Sequence, residues 1–194
     1  MAQDWRARKR ARTKEAIQHS ALRLFLEHGY DATTVARIAE EAGVSHMTFF
    51  RYFPTKEDVV LSDDYDPMIE ELVRARPTSE PPIERVRAAI AQGLTAVYTA
   101  DQDALLTRTR LLLETPALRA RLWENLHATQ RLLERALDDT DATGATAPLR
   151  LRVIAGASVS ALTTAVVTWA ENDGHPELPQ LVDEAFAVLE HQLH

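Results

Sequence analysis

The stretch Thr33-Thr-Val-Ala-Arg-Ile-Ala-Glu-Glu-Ala-Gly-Val-Ser-His-Met-Thr-Phe-Phe-Arg-Tyr-Phe-Pro-Thr-Lys-Glu57 decides the fold. Val35, Ile38, Ala39 and Ala42 recur at helical spacing, so a short helix buries one stripe behind a cap at Thr33 or Thr34. Gly43 ends it, because a glycine adopts the left-handed conformation after a helix C-terminus without a Cβ clash. Ser45 caps a second short helix, with Thr48 at its third position and Pro54 closing it. On that helix Phe49 and Phe53 share one face and anchor it to a small core. Met47 and Arg51 fall on the opposite face, flanked by Thr48 and Phe50. Two short helices joined through Ala42-Gly43-Val44 have the length and turn residue of a helix-turn-helix. An outward face of Met, Thr, Phe and Arg is a poor solvated surface and a good groove-reading one.

Outward from this pair, apolar residues recur at spacings of three and four and no alternating run appears, which predicts an all-α protein of about nine helices. A helix from about Arg10 to His28, closed by Gly29, precedes the motif. Thr55 opens a fourth helix that runs to Arg74, and Arg76–Pro82 is a linker by composition. A fifth helix carries Ile83 to Val97, a sixth Ala104 to Leu113, and a seventh runs from Pro116 to about Leu137. A polar loop, Asp138–Pro148 with Gly144, leads to two long helices at about Leu149–Glu171 and Leu178–Leu193.

The net charge of −7 argues at first against nucleic acid, but it averages two unlike parts. Residues 1–56 carry ten Lys and Arg against six acids, and the remaining 138 residues carry 12 against 23. Six of those ten cations lie between Arg6 and Lys14 with no acid among them. This divides the chain into a basic interaction head, 1–56, and an acidic body, 57–194. Zero cysteines exclude disulfides, zinc-thiolate sites and a cysteine nucleophile, and point to a cytoplasmic protein. No apolar targeting segment follows the N-terminal arginines. Val153–Ala170 is 18 residues without a charge, but Ala, Gly, Ser and Thr dominate it, so a buried helix is expected and not a membrane span. Six glycines form no phosphate-cradling loop, and among the seven histidines His191 and His194 alone approach ligand spacing. An enzyme, a metal and a cofactor are therefore not expected. The alternative to a DNA reader is a helical interaction or effector-binding protein without operator-specific binding.

Thr33–Ser45 followed by Thr48–Glu57, with Leu24-Phe and Gly29-Tyr before them, resembles the N-terminal signature of TetR-family transcriptional regulators. The Thr-Phe-Phe-Arg-Tyr-Phe run is similar to a branch common among actinobacterial members, and 19 arginines against three lysines agree with a GC-rich genome. The resemblance is dense over residues 12–60 and architectural beyond. It implies a repressor released from a palindromic operator by a small effector. Thr34 and Ser45 cap helices whose N–H groups face phosphate. Thr48 touches DNA at the start of the recognition helix, near His46 and Met47. Phe50 stands where the family usually has a tyrosine that contacts phosphate, so its ring is left to press on a thymine methyl. Arg51 suits a bidentate pair with guanine. Tyr52 and Lys56 match positions that grip the backbone. Arg6 to Arg12, with Arg10 and Arg12 foremost, serve as an arm toward the minor groove or flanking phosphates.

One recognition helix reads too few base pairs, which implies a homodimer on two half-sites. The last two helices are the expected interface, through Ala155, Gly156, Ser158, Ala161 and Ala165 on one and Leu181, Phe186, Leu189 and Leu193 on the other. The resemblance places an effector pocket among the preceding helices. Tyr98, Arg108, Arg110, Trp123, His127 and Trp169 are the candidate lining residues, and the leucine-rich helices suit an apolar, fatty acyl-type ligand.

Overall fold

The computed structural model describes residues 2–62, 65–98, 102–138 and 148–192. Among them the regular structure is helical throughout, in ten helices that group into two compact units. The first unit runs through Ser62 and includes Thr115–Leu118; the second holds the rest.

In the first unit α1 (Ala2–His28), α2 (Val35–Glu41), α3 (His46–Tyr52) and α4 (Asp58–Leu61) surround one small core. Ile17, Leu24 and Phe25 of α1, Ile38 of α2, Phe49 and Phe53 at α3, and Val59 and Val60 of α4 are buried there. Each such side chain contributes about 1.5–3 kcal/mol relative to exposure. Thr34 is the cap of α2: its Oγ1 accepts from Arg37 N at 3.2 Å. Its neighbour Thr33 turns inward, with Oγ1 2.8 Å from the Gly29 carbonyl oxygen and 3.1 Å from that of Leu24. The α2 C-terminus closes as a Schellman turn. Gly43 N donates to Glu40 O (3.0 Å), Val44 N donates to Ala39 O (2.9 Å), and Gly43 sits at φ +66°.

Two differences from the expected helix map have identifiable causes. α1 begins at Ala2 and not near Arg10, with the Lys9 ammonium over the Trp5 ring and Thr13 Oγ1 donating to Lys9 O. The basic run is therefore the first turns of a helix and not an extended arm. The expected fourth helix is two, α4 and α5 (Tyr65–Arg74). The Gln18 side-chain amide donates to the carbonyls of Val59 (3.3 Å) and Ser62 (2.9 Å), acceptors that a continuing helix would use, and Ser62 is extended at ψ 119°. Before α4, Thr55 and Asp58 form a reciprocal box: Thr55 N donates to Asp58 Oδ2 at 2.8 Å and Asp58 N to Thr55 Oγ1 at 3.3 Å.

The second unit contains α5, α6 (Pro82–Tyr98), α7 (Gln102–Glu114), most of α8 (Pro116–Leu137), α9 (Leu149–Glu171) and α10 (Leu178–Gln192). Its core joins Val86 and Ile90 of α6, Leu133 and Leu137 of α8, Ala155 and Trp169 of α9, and Val182 and Phe186 of α10. Arg87 of α6 ties the rim to α10 through Asp183 (3.1 Å) and Glu190 (2.8 Å). By length and composition α9 could cross a membrane, but Ile154, Ala155, Ser158, Val159, Ala161, Ala165, Trp169 and Ala170 are buried in this core. Of the residues expected at a dimer interface, Ala155, Ser158, Ala161, Ala165 and Phe186 close the monomer's own core, and Gly156, Leu181 and Leu189 are half-buried. The exposed side of the pair carries Val153, Ser160 and Thr164 on α9 and Glu184 and Val188 on α10. Gly144 in the loop between α8 and α9, and Leu193 and His194 at the end, lie outside the described residues, as does the side chain of His191.

Because Gly43 has a positive φ with open space around a Cβ, its replacement strains the backbone without a clash. Gly43→Ala is expected to cost about 1 kcal/mol, read as a lowered midpoint with an unchanged slope in urea unfolding followed by circular dichroism.

Candidate nucleic-acid interface and effector cavity

The buried phenylalanines fix which face of α3 is free. Phe49 and Phe53 are fully buried and 5.9 Å apart, so Met47 stands 79% exposed, Phe50 39% exposed, and Arg51 points to solvent. Ser45 is the cap: its Oγ accepts from Thr48 N at 3.1 Å and lies 2.9 Å from Thr48 Oγ1. The His46 ring meets the Phe50 ring edge-on at 4.9 Å, which joins the two on the same surface.

Beside this helix an open groove of about 630 Å³ runs between α1 and the α2–α3 turn. Trp5, Arg6, Lys9, Arg10 and Thr13 form one wall, and Gly43, Val44, Ser45, Thr48, Arg51 and Tyr52 the other. Four of these residues are cations and none is an acid. The guanidinium groups of Arg51 and Arg10 lie 5.6 and 6.0 Å from the centre of the Tyr52 ring, and the Lys9 ammonium lies 5.2 Å from that of Trp5. Aromatic faces position these cations without neutralising them, so their charge remains for an anionic polymer.

The second unit holds a partly open cavity of about 280 Å³. Leu105, Arg108, Thr109, Leu112 and Leu113 of α7 face it across Leu122, Asn125, Leu126 and Thr129 of α8, with Val159, Leu162, Thr163, Val166 and Val167 of α9 and with Met68, Ile69, Ile90, Gly93 and Leu94 of α5 and α6 in the rest of the wall. The hydroxyls of Thr109, Thr129 and Thr163 each bond to the carbonyl four residues back in their own helix. Gly93 of α6 fits tightly: a Cβ there would stand 2.6 Å from Ile69 Cδ1.

Residues 17–62 match the family described as bacterial regulatory proteins, tetR family, and residues 80–194 match the MftR C-terminal domain. The chain belongs to the TetR family. One relative is the HTH-type transcriptional regulator TcmR of Streptomyces glaucescens, 34% identical over 59% of this chain; the match spans just over half of that relative's length, 54%. The fatty acid metabolism regulator protein of Bacillus subtilis is 24% identical over 92% of this chain and 94% of its own. Among solved structures, the TetR-family repressor FadR of Thermus thermophilus in complex with lauroyl-CoA has a TM-score of 0.55 at 26% identity, over 91% of this chain and 92% of that one.

Against this TetR framework the expected head residues divide. Ser45, Thr48, Arg51, Tyr52 and Arg10 meet in the groove, with Met47, His46 and Phe50 on the free face of α3 beside it. Thr34 caps α2, and Arg12 is exposed on α1 outside the groove walls. Lys56 departs from expectation. Its ammonium donates to the Tyr30 carbonyl and lies 4.0 Å from the Tyr30 ring centre, while Tyr30 Oη donates to Glu57 at 2.8 Å. Burial pushes the Lys56 pKa down, against the pull of Asp31 and Glu57. This lysine pins the end of α1 to the start of α4 and does not line the groove. Trp5 and Thr13 were not anticipated. Their signal was the spacing of Trp5, Lys9 and Thr13, one helical face at i, i+4 and i+8.

Of the six expected cavity residues, Arg108 lines the wall. Trp123, 78% exposed, and His127, also exposed, lie off the face of α8 formed by Leu122, Leu126 and Leu133, which corrects both. Tyr98, Arg110 and Trp169 are not among the lining residues and make contacts of their own. The Tyr98 ring packs 5.9 Å from that of the fully buried Trp169, Tyr98 Oη donates to Glu177, and Arg110 pairs with Asp173. Burial, then the bond to Glu177 and its charge, pushes the Tyr98 pKa up to about 12, so the phenol stays a donor at ordinary pH.

The two basic residues should separate in experiment. Lys56→Met is expected to lower stability by about 1–2 kcal/mol in thermal unfolding, with base preference retained by the folded fraction. Arg51→Ala is expected to leave stability within about 0.5 kcal/mol and to relax base preference at one operator position by about 1–3 kcal/mol, measured as competition between specific and random duplexes.

Proposed function

We propose that the chain is a ligand-responsive, sequence-specific DNA-binding repressor of the cytoplasm, released from a palindromic operator by a small apolar effector of fatty acyl type. The observation that carries this reading is the acid-free groove of Arg6, Lys9, Arg10 and Arg51 beside an α3 face of Met47, Thr48, Phe50 and Arg51. Phosphate contacts from the α1 cations set affinity and register, and α3 reads base edges in the major groove. Residues 1–56 act as the reading head and 57–194 as the sensor and dimerisation body. The leucine-lined cavity supports an apolar effector, in keeping with the lauroyl-CoA held by the Thermus thermophilus FadR. The effector acts by binding one spacing of the two heads in the dimer better than the other.

Dimerisation through α9 and α10 would use their exposed side, where Val153 and Val188 are apolar and solvent-facing. Sedimentation at micromolar concentration is expected to show a species of twice 21.7 kDa. The double variant Val153→Glu, Val188→Glu is expected to move it to the monomer and to weaken operator binding in parallel.

Selection of bound duplexes from a random library tests the central claim. A two-fold symmetric consensus with half-sites about one helical turn apart is the expected result. Recovery of unrelated sequences with uniform affinity would leave a helical effector-binding protein without operator specificity.

A further inference from the structure

The free surface of α3 is divided along its length. Thr48, Arg51 and Tyr52 line the cationic groove, whereas His46, Met47 and Phe50 do not enter it. At 100° per residue these last three occupy the flank of α3 turned away from that groove. Met47 and Phe50 make the flank apolar, and both are exposed to solvent. The Phe50 ring is also held in place. The His46 ring meets it edge-on from one turn earlier, and the fully buried Phe49 ring meets it edge-on at 5.4 Å and 81°. Phe49 packs in turn on Phe53, so a ladder of four rings runs from the surface into the core of the head.

The major groove offers such a flank one kind of partner. Base edges there present hydrogen-bond donors and acceptors, which lose water without compensation against a hydrocarbon, and a single apolar group, the C5-methyl of thymine. A ring already fixed in place loses little freedom on meeting that methyl. We infer that the Met47 and Phe50 flank reads the C5-methyl group of a pyrimidine as such, and not the identity of the base that carries it. Cytosine methylated at C5 presents the same methyl at the same place beside a different exocyclic group. Phe50 carries no polar atom with which to tell the exocyclic groups apart. Operator affinity therefore responds to cytosine methylation wherever 5-methylcytosine stands in for that thymine. This rests on reading α3 as the base-contacting helix and goes further by giving its two flanks different tasks. Arg51 and the groove supply charge and hydrogen bonds on one side, and Phe50 supplies a hydrocarbon contact on the other.

Replacement of thymine by deoxyuridine, one position at a time, in the operator recovered from the random library tests this, because it removes the methyl and keeps every hydrogen-bonding group. The readout is the dissociation constant of the full-length chain by fluorescence anisotropy. One position in each half-site is expected to respond, with binding weakened about three- to four-fold per methyl and about ten-fold when both half-sites are changed. At that position a 5-methylcytosine–guanine pair is expected to bind about three- to four-fold tighter than cytosine–guanine. Phe50→Ala is expected to bring both ratios close to one, and Met47→Ala to reduce them in part. Should Phe50→Ala not fold, the parent chain and Met47→Ala decide. Equal binding of thymine and deoxyuridine at every position, equal binding of methylated and unmethylated cytosine, or ratios that neither variant reduces overturns the inference and leaves sequence-specific operator binding standing. Failure to recover any operator overturns both.

Discussion

The burial of Phe49 and Phe53 is the constraint on which the reading surface depends. A helix of seven residues has almost no stability of its own, since its nucleation cost is met by few hydrogen bonds. What holds α3 in one orientation is the pair of rings sunk between α1, α2 and α4. Because the two are four residues apart, they leave one face outward, and that face carries Met47, Thr48, Phe50 and Arg51. The Gly43 turn and the Ser45 cap set where α3 begins, and the phenylalanines set how it is rotated. Lys56, Tyr30 and Glu57 lock the far side of the same core. Chemistry that makes no contact with the groove therefore decides what the groove displays.

Much of the head was legible because its signals are local. Thr34 and Ser45 cap within three residues, Gly43 requires only its own φ, and the phenylalanine spacing needs only the helical repeat. Lys56 could not be placed this way. Its partner is a backbone carbonyl 26 residues earlier, and a lysine beside a reading helix gives no sign of whether it points to phosphate or inward. Likewise the break after Leu61 comes from Gln18, on another helix. Sequence pattern reports which residues of an element are apolar, and long-range polar contacts report where the element stops.

In the second unit α9 shows the same limit from the other side. Its bounds were readable as Leu149–Glu171, yet its small residues proved to close the monomer core. Ala, Gly and Ser permit close helix approach wherever they occur, and the pattern does not say whether the approaching helix belongs to the same chain. Trp123 and His127 were legible and misread. Both fall outside the stripe formed by Leu118, Leu122, Leu126 and Leu133, and the choice of aromatic and basic residues by type overlooked their helical phase.

The threonines of the cavity have a consequence of their own. With Thr109, Thr129 and Thr163 turned to their own carbonyls, most of the wall offers a bound chain dispersion and little else. Such a surface has no register: a methylene is received equally well at each point along it. For the proposed acyl effector the cavity would then act as a ruler. Each methylene covered by the wall would contribute about 0.8 kcal/mol, and selectivity within a homologous series would come from where the wall ends and not from any group that recognises a length. A methyl group at Gly93 would be received only by a shift of the Ile69 and Met68 side-chain ends, so that part of the wall can adjust its dimensions by side-chain movement.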